Sequence, residues 1–368
     1  MKKIFLLLLF VISFTMEGCF NYRDLEKALY VTSVIVDSSD ENFVEIYAEA
    51  FRPFRSSQSA SGKGERILFK GKGKTDLEAI RDLNLTSSFK LNFTQNKVII
   101  YTKRAAEKGL DSTIDFFDRD QELLLRTYVV VYLGDPQELL KIDLKEEEYL
   151  GVFIYNLLEN LGSSSRAVAL DTNDFLVRSY QEVDCVVTAI DVRSEASDIK
   201  VEINGGAVIG EFKLQDIMTR NEGEGYNFLI DKIRTGTLEV SNPDSKSQFV
   251  TLEILNSSTK TKFYKEGDKY ILKKKINVKT SIAEAQKGLS FDKNTLKKIS
   301  NTAEDNITKA CNLVYNNYRK KNLDIFFLKL IYERTFNKPA PDNLINDTDL
   351  ELDVNVDIEG SSDIKSFK

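Results

Sequence analysis

Enzymatic chemistry needs particular side chains, and this chain lacks several of them. Its 368 residues include no His and no Trp. Without His, Ser-His-Asp and Cys-His catalysis and every His-ligated metal site are excluded. The three cysteines, Cys19, Cys185 and Cys311, are far apart, so there is no C-x-x-C motif and no disulfide framework. Cys185 and Cys311 each lie in an apolar-periodic segment, where buried free thiols are the expectation. The chain has 57 Asp and Glu residues, yet nothing selects two of them as a glycosidase pair. No catalytic residue, metal ligand or cofactor site is assigned.

Two glycine-rich stretches invite a nucleotide reading. "LFKGKGKT" ends in Gly73-Lys74-Thr75 between an expected strand and helix. A phosphate-binding loop needs Gly five positions before Gly73, where this chain has Leu68. A glycine turn with a helix cap is the reading adopted. "INGGAVIG" lacks G-x-G-x-x-G spacing and reads as a glycine bulge or bend in a strand. In "DLELDVNVDIEG" acidic and apolar residues alternate. Calcium ligands must converge from a loop, whereas alternate strand residues point in parallel, so a solvated strand face that discourages edge pairing is expected. The lysines of "KYILKKKINVK" could meet anionic lipid headgroups or form a solvated edge.

The remaining candidate is Cys19. Lys2 and Lys3 precede an apolar run over residues 4–14. That run is far short of the ~20 residues a spanning helix needs, and reads as a signal-peptide core. Cys19 follows it, with Gly18 before it and Met16 in the Leu-like place of a lipobox; Glu17 stands where a small residue is usual. The expectation is a signal peptide over residues 1–18 and lipid attachment at Cys19, the only membrane contact the sequence specifies. The alternative is an ordinary secreted chain in which Cys19 is incidental.

The rest of the chain must supply the body. Net charge is −6, from 51 Lys+Arg against the 57 acids, a poor match for nucleic acid, whose phosphates need cations. "ALYVTSVIVD" and "FVEIYAEAF" read as a hairpin, and 55–65 as a flexible Ser/Gly-rich loop. Strands "RILFKG", "KVIIYT" and "RTYVVVYLG" alternate with helices "TDLEAIRDLNL", with Leu77, Ile80 and Leu83 at helical spacing, "LDSTIDFFDRD" and "DPQELLKI". Helices near 147–161 and 172–181 precede the strand "VDCVVTAIDV". Beyond residue 195 come strands, a hairpin turning at Gly267-Asp268, and a helix over 294–321. Its stripe is Leu296, Ile299, Ala303, Ile307, Ala310 and Val314. A helix in "LDIFFLKLIYERTF" and the alternating strand close the chain. The fold class expected is α/β and α+β, multidomain, with successive mixed sheets each packed by helices, divided as 19–195 and 196–368.

Several segments together resemble a known family, the Ger(x)C lipoproteins that form the C subunit of spore nutrient germinant receptors. The family opens with Gly-Cys-Trp, Asp, a basic pair, an acidic–aliphatic step and a strand ending in Asp. In "GCFNYRDLEKALYVTSVIVD" Phe20 stands for Trp, Asn21 for Asp and Asp24 for Glu, while Leu25 and Asp37 fit. "GKGKTDLEAIRDLN", "NKVIIYTKRAAEKGLDSTIDFFDRD", "VVVYLGDPQELL", "INGGAVIGEFKL" and the closing helix and strand continue the likeness; Gln95 replaces a His many members carry. The resemblance implies a non-enzymatic, lipid-anchored protein on the outer face of the spore inner membrane. It would assemble with integral membrane A and B subunits and serve germination in response to nutrients. Two other classes compete: a solute-binding lipoprotein of a membrane transporter, although no internal repeat is present, and an exported two-carboxylate hydrolase.

Overall fold

The computed structural model describes residues 28–40, 43–52, 66–119, 127–145, 147–195, 198–359 and 366–367. The loop expected at 55–65 and Cys19 lie outside the described residues.

Strands β1 (Ala28–Asp40) and β2 (Phe43–Phe51) form the expected antiparallel hairpin, and β3 (Ile67–Gly73) adds to β2. Helix α1 (Asp76–Leu85) follows, its start set by the Thr75 side chain accepting from the Glu78 N–H. It buries Asp76, Ala79 and Leu83, while Leu77 of the expected stripe is exposed. The helix backbone lies close against Gly71 and Gly73 of β3, where a side chain would not fit. After β4 (Lys90–Asn92) come β5 (Val98–Thr102), α2 (Lys103–Lys108), α3 (Asp111–Arg119) and β6 (Tyr128–Tyr132). "KRAAEK", between the strand "KVIIYT" and the helix expected in "LDSTIDFFDRD", is a further helix, capped by Thr102. Helices α4 (Pro136–Lys141), α5 (Leu150–Glu159) and α6 (Thr172–Tyr180) lead to β7 (Cys185–Glu195). Asp135 and Pro136 start α4 as N-cap and first residue.

β1, β5, β6 and β7 are parallel neighbours, and antiparallel hairpins extend the sheet on both sides. The sheet does not stop at residue 195. β8 (Asp198–Gly210) pairs with β7, and β9 (Lys213–Met218) completes a nine-stranded sheet in the order β3-β2-β1-β5-β6-β7-β8-β9, with β4 beside β1. One face packs on α1, α2, α3 and α6 through Ala79, Ala106, Ile114 and Phe175. The other packs on α4 and α5 through Leu139, Leu150 and Ile154. Each such side chain taken from water contributes about 1.5–3 kcal/mol, less for Ala.

The second body begins with α7 (Arg220–Leu229), which opens in a capping box between Thr219 and Glu222. β10 (Gly236–Ser241), β11 (Phe249–Glu266) and β12 (Lys269–Ala285) precede the short β13 (Leu289–Ser290). Gly267, at φ +60°, turns the β11–β12 hairpin as expected. Helix α8 (Lys293–Lys320) buries Ile299, Ala303, Ile307 and Val314 from the expected stripe, but Cys311 takes the fully buried place assigned to Ala310. α9 (Leu328–Phe336) is shorter than its sequence pattern; the Asp324 carboxylate accepts from the N–H groups of Phe326, Leu328 and Lys329, turning the first half into a cap. β14 (Thr348–Ile358) pairs parallel to β12, and β15 (Ser366–Phe367) pairs with β13.

α8 lies along the sheet β10-β11-β12-β14, flanked by both edge strands. Ser300 donates to the Val356 carbonyl and Glu304 accepts from the Val356 N–H at 3.0 Å on one side; Asn306 donates to the Glu239 carbonyl at 3.2 Å on the other. Helix side chains thereby occupy edge groups that would otherwise recruit a foreign strand.

Candidate functional site

Open α/β sheets hold ligands beyond the carboxyl ends of their parallel strands, so that end is the first place to look. A polar row crosses it: Lys72, Glu45 and Asp37 are successive register partners, and Thr102 pairs with Tyr132. Asp37 and Glu45 are buried cross-strand neighbours, which would repel if left alone. Each carboxylate has its own cation. Arg104, on α2, donates Nε and Nη2 to the two oxygens of Asp37, and Thr102 Oγ1 donates at 2.7 Å. Lys70 Nζ lies 2.9 Å from Glu45, which also accepts from the Tyr47 hydroxyl at 3.0 Å.

Burial acts to raise the Asp37 pKa, but hydrogen bonds from Arg104, Thr102 and the Ser38 N–H outweigh it and hold the carboxyl below its ordinary range. A carboxylate so held is a poor proton donor. The row braces β1, β2, β3 and α2 against one another. At its far end the Tyr132 hydroxyl is buried without a hydrogen-bond partner among the described residues.

Glu49, two pleats away on β2, is fully buried and gathers five donors. They are Thr32 Oγ1 at 2.6 Å, Ser33 Oγ at 3.0 Å, Arg66 Nε at 2.6 Å, and the N–H groups of Leu150 and Gly151 at 2.8 and 2.9 Å. The last two belong to the first turn of α5, where orphan donors and the helix dipole favour an anion. Arg66 also donates to the carbonyls of Leu140 and Ile142, so one ion pair ties three sheet strands to the α4–α5 layer.

Where the sheet meets the α8–α9 connection there is an open cleft of about 720 Å³. Glu182, Asp184, Glu211, Asn322 and Lys329 line it. Burial pushes Asp184 up to about 6, against the pull of the Asp324 N–H that donates to it at 2.7 Å. Lys329 Nζ sits 2.6 Å from Glu182. Glu182, Glu211 and Asn322 all carry positive φ, a costly conformation for residues other than Gly.

The motifs singled out from sequence resolve locally. A Cβ on Gly71 or Gly73 would lie 2.0 or 2.4 Å from the α1 backbone, and the Glu78 carboxylate already accepts from the Lys74 N–H, so "GKGKT" is a close strand–helix contact. Gly205, at φ +79°, sits in a bulge of β8 opposite Ala189, as its sequence suggested. Cys185 and Cys311 are free and buried. The acidic strand and the lysine strand turn out to be one feature. Lys273 faces Glu351 at 3.0 Å and Lys275 faces Asp353 at 2.9 Å, with Lys269–Asp349 and Lys279–Glu359 at the two ends. β12 is flanked on both sides, so its lysines are an inter-strand ladder and not a solvated edge. Of the segments carrying the family likeness, the structure brings Asp37 together with Thr102 and Arg104; the Glu49 centre had no spacing signal because its donors come from distant segments.

Two family profiles match the chain in succession. "Spore germination protein N-terminal domain" covers residues 21–192, and "Spore germination B3/ GerAC like, C-terminal" covers 204–362. Spore germination protein GerQC of Bacillus cereus is 23% identical over 73% of this chain and 74% of its own length. Spore germination protein B3 of Bacillus subtilis (strain 168) is 21% identical over 93% of each. The crystal structure of the GerBC protein superposes with a TM-score of 0.58 at 18% identity, covering 88% of this chain and 96% of that one. The successive sheets packed by helices are therefore a GerBC-like fold, and the chain belongs to the Ger(x)C family of spore germination proteins.

Proposed function

We propose that this chain is the lipid-anchored C subunit of a spore nutrient germinant receptor, a non-catalytic component that assembles with integral membrane A and B subunits. The observation that carries the reading is the ordered match of both family profiles over 21–192 and 204–362. Cys19 is the attachment point, on the outer face of the spore inner membrane. A diacylglyceryl group meets the need for two acyl chains in a stable anchor. Among the described residues no helix is long and apolar enough to cross a membrane, which fits attachment through lipid. Residues 20–27 separate Cys19 from β1 and allow a reach of at most ~32 Å between them, keeping the body near the bilayer. Residues 19–195 and 196–368 are taken as the two family domains. The second domain's first strands, β8 and β9, complete the sheet of the first, which supports their acting as one rigid unit.

The test is nutrient-triggered loss of refractility in spores lacking other receptor copies, comparing the native chain, a null and Cys19→Ala. Both mutants are expected to fail, with the Cys19→Ala protein recovered from the soluble fraction. Normal germination of the null would overturn the receptor reading. A Cys19→Ala protein still bound to membrane would overturn the anchor.

A further inference from the structure

Two different layers cover one face of the nine-stranded sheet. α5 covers it beside Ile190 and Val201, and the C-terminal body covers it beside Val186, Val208 and Met218. The chain over 164–170 crosses the face between them. Thr188 Oγ1 donates to the Val168 carbonyl at 2.7 Å, and Asn227 Nδ2 donates to the carbonyls of Ser165 and Ala167 at 2.9 and 2.8 Å. Two layers meeting over a third leave a gap, here a cavity of about 180 Å³.

Its floor is apolar: Val168, Val186, Tyr226 and Ile233, each at most 4% exposed. Its rim carries Arg178, Lys232 and Arg234, and among the described residues no carboxylate lines it. Arg178 is engaged, 3.8 Å from Asp174 and over the Phe327 ring. Arg234 reaches Asp231 at 3.5 Å and donates to the Ile233 carbonyl. Lys232 has no ion pair among the described residues. Asn227, 4% exposed, donates from its amide nitrogen while its Oδ1 accepts no hydrogen bond among the described residues.

We propose that this cavity binds a small organic monocarboxylate with a compact apolar body, its carboxylate at Lys232 and Arg234 and its body on the Val168–Val186–Tyr226–Ile233 floor. The size fits a ring or branched chain of a few carbons, since an apolar cavity of ~150 Å³ holds benzene. A neutral compound would fill the floor and leave the cations unused. An inorganic anion would meet the cations and forgo the floor, and an amine would be repelled. Recognition by an apolar wall with a few placed polar groups is the usual form of a small-molecule site. The inference stands apart from the receptor reading, because it requires only the folded protein.

The test is calorimetric titration of the purified protein with benzoate at pH 7, with benzyl alcohol and benzylamine as neutral and cationic counterparts. Benzoate is expected to saturate one site, with the alcohol at least tenfold weaker and the amine without binding. Benzoate affinity should fall as salt is raised, because the rim cations are exposed to screening. Lys232→Gln with Arg234→Gln, both at the surface, should weaken benzoate at least tenfold while leaving thermal unfolding unchanged. Ala169→Leu, which fills the cavity from its wall, should abolish binding. The proposal is overturned if benzoate fails to saturate by ~20 mM, an affinity weaker than ~2–3 kcal/mol. It is equally overturned if the alcohol binds as well as the acid, or if the variants bind benzoate normally.

Discussion

Glu49 shows what a single buried charge does in this protein. Its five donors come from β1, the residue before β3, and the start of α5, so deleting the carboxylate takes the ion-pair partner from a partly buried guanidinium and strands two helix N–H groups together. Glu49→Ala should cost about 3–5 kcal/mol, the usual loss when one partner of a buried ion pair is removed, read as a lower urea midpoint. Lys274 is the opposite case. It is 4% exposed on the inner face of β12, with one hydrogen bond among the described residues, to Thr261 at 2.9 Å. Burial pushes it down to about 8 from 10.5. A lysine with a depressed folded pKa penalises the fold while protonated, and the penalty is relieved as pH rises from about 8 towards 10.5. Lys274→Met should therefore stabilise by roughly 1–3 kcal/mol at pH 7. Its advantage over the native chain should shrink in urea titrations at pH 9.5; an advantage independent of pH would contradict the assignment.

At the scale of elements, glycines decide which helices touch. α7 reads "RNEGEGYNFL", with two glycines that weaken any helical expectation. Yet a Cβ on Gly225 would stand 2.3 Å from the Ala310 carbonyl, and one on Gly223 2.3 Å from that of Arg166. The residues that hide the helix in sequence are those that let it approach α8, where the Cys311 thiol donates to the Gly225 carbonyl. Gly225→Val should separate α7 from α8 and cost ~3 kcal/mol or more in thermal or urea unfolding. The β12–β14 ladder makes a gentler prediction. Replacing Glu351 and Asp353 together by Lys sets lysine against lysine on adjacent strands. Amide hydrogen exchange in β14 should accelerate, and added salt should slow it again; unchanged exchange would mean that backbone pairing alone holds this edge.

For the whole molecule, the cleft beside Asp184 joins the sheet to the second body and should make their contact depend on pH. Asp184 has a folded pKa of about 6 against 3.8 unfolded. A carboxyl raised in this way contributes stability below pH 3.8 and loses it as pH climbs through 6. Glu182, Glu211, Asp324 and Asp342 face the same space, with Lys329 as the cation lining it. Asp184→Asn keeps an acceptor for the Asp324 N–H without the charge. It should raise the melting temperature at pH 7.5, raise it less at pH 4.5, and leave it nearly unchanged near pH 3. The helix and strand alternation up to β7, the α8 stripe and the β11–β12 turn were all legible, because burial on one face imposes a period on local sequence. Leu77 misled the same reasoning: α1 turns Asp76, Ala79 and Leu83 inward and leaves Leu77 in solvent.

Sequence alone determined the chemistry this protein lacks, through the missing His, and the site where lipid is expected, through Cys19. It also carried the order of strands and helices and the family likeness, all of which are local or collinear signals. Tertiary structure alone decided that β8 and β9 join the first sheet, that the acidic and basic strands neutralise each other, and that Glu49 caps α5. It also decided that a cationic, apolar-floored cavity opens between two layers. β8 and β9 join through hairpins, and it is their partner sheet that local sequence leaves open. The other three depend on groups tens to a hundred residues apart meeting within a few ångströms, and no local period or spacing records such a meeting.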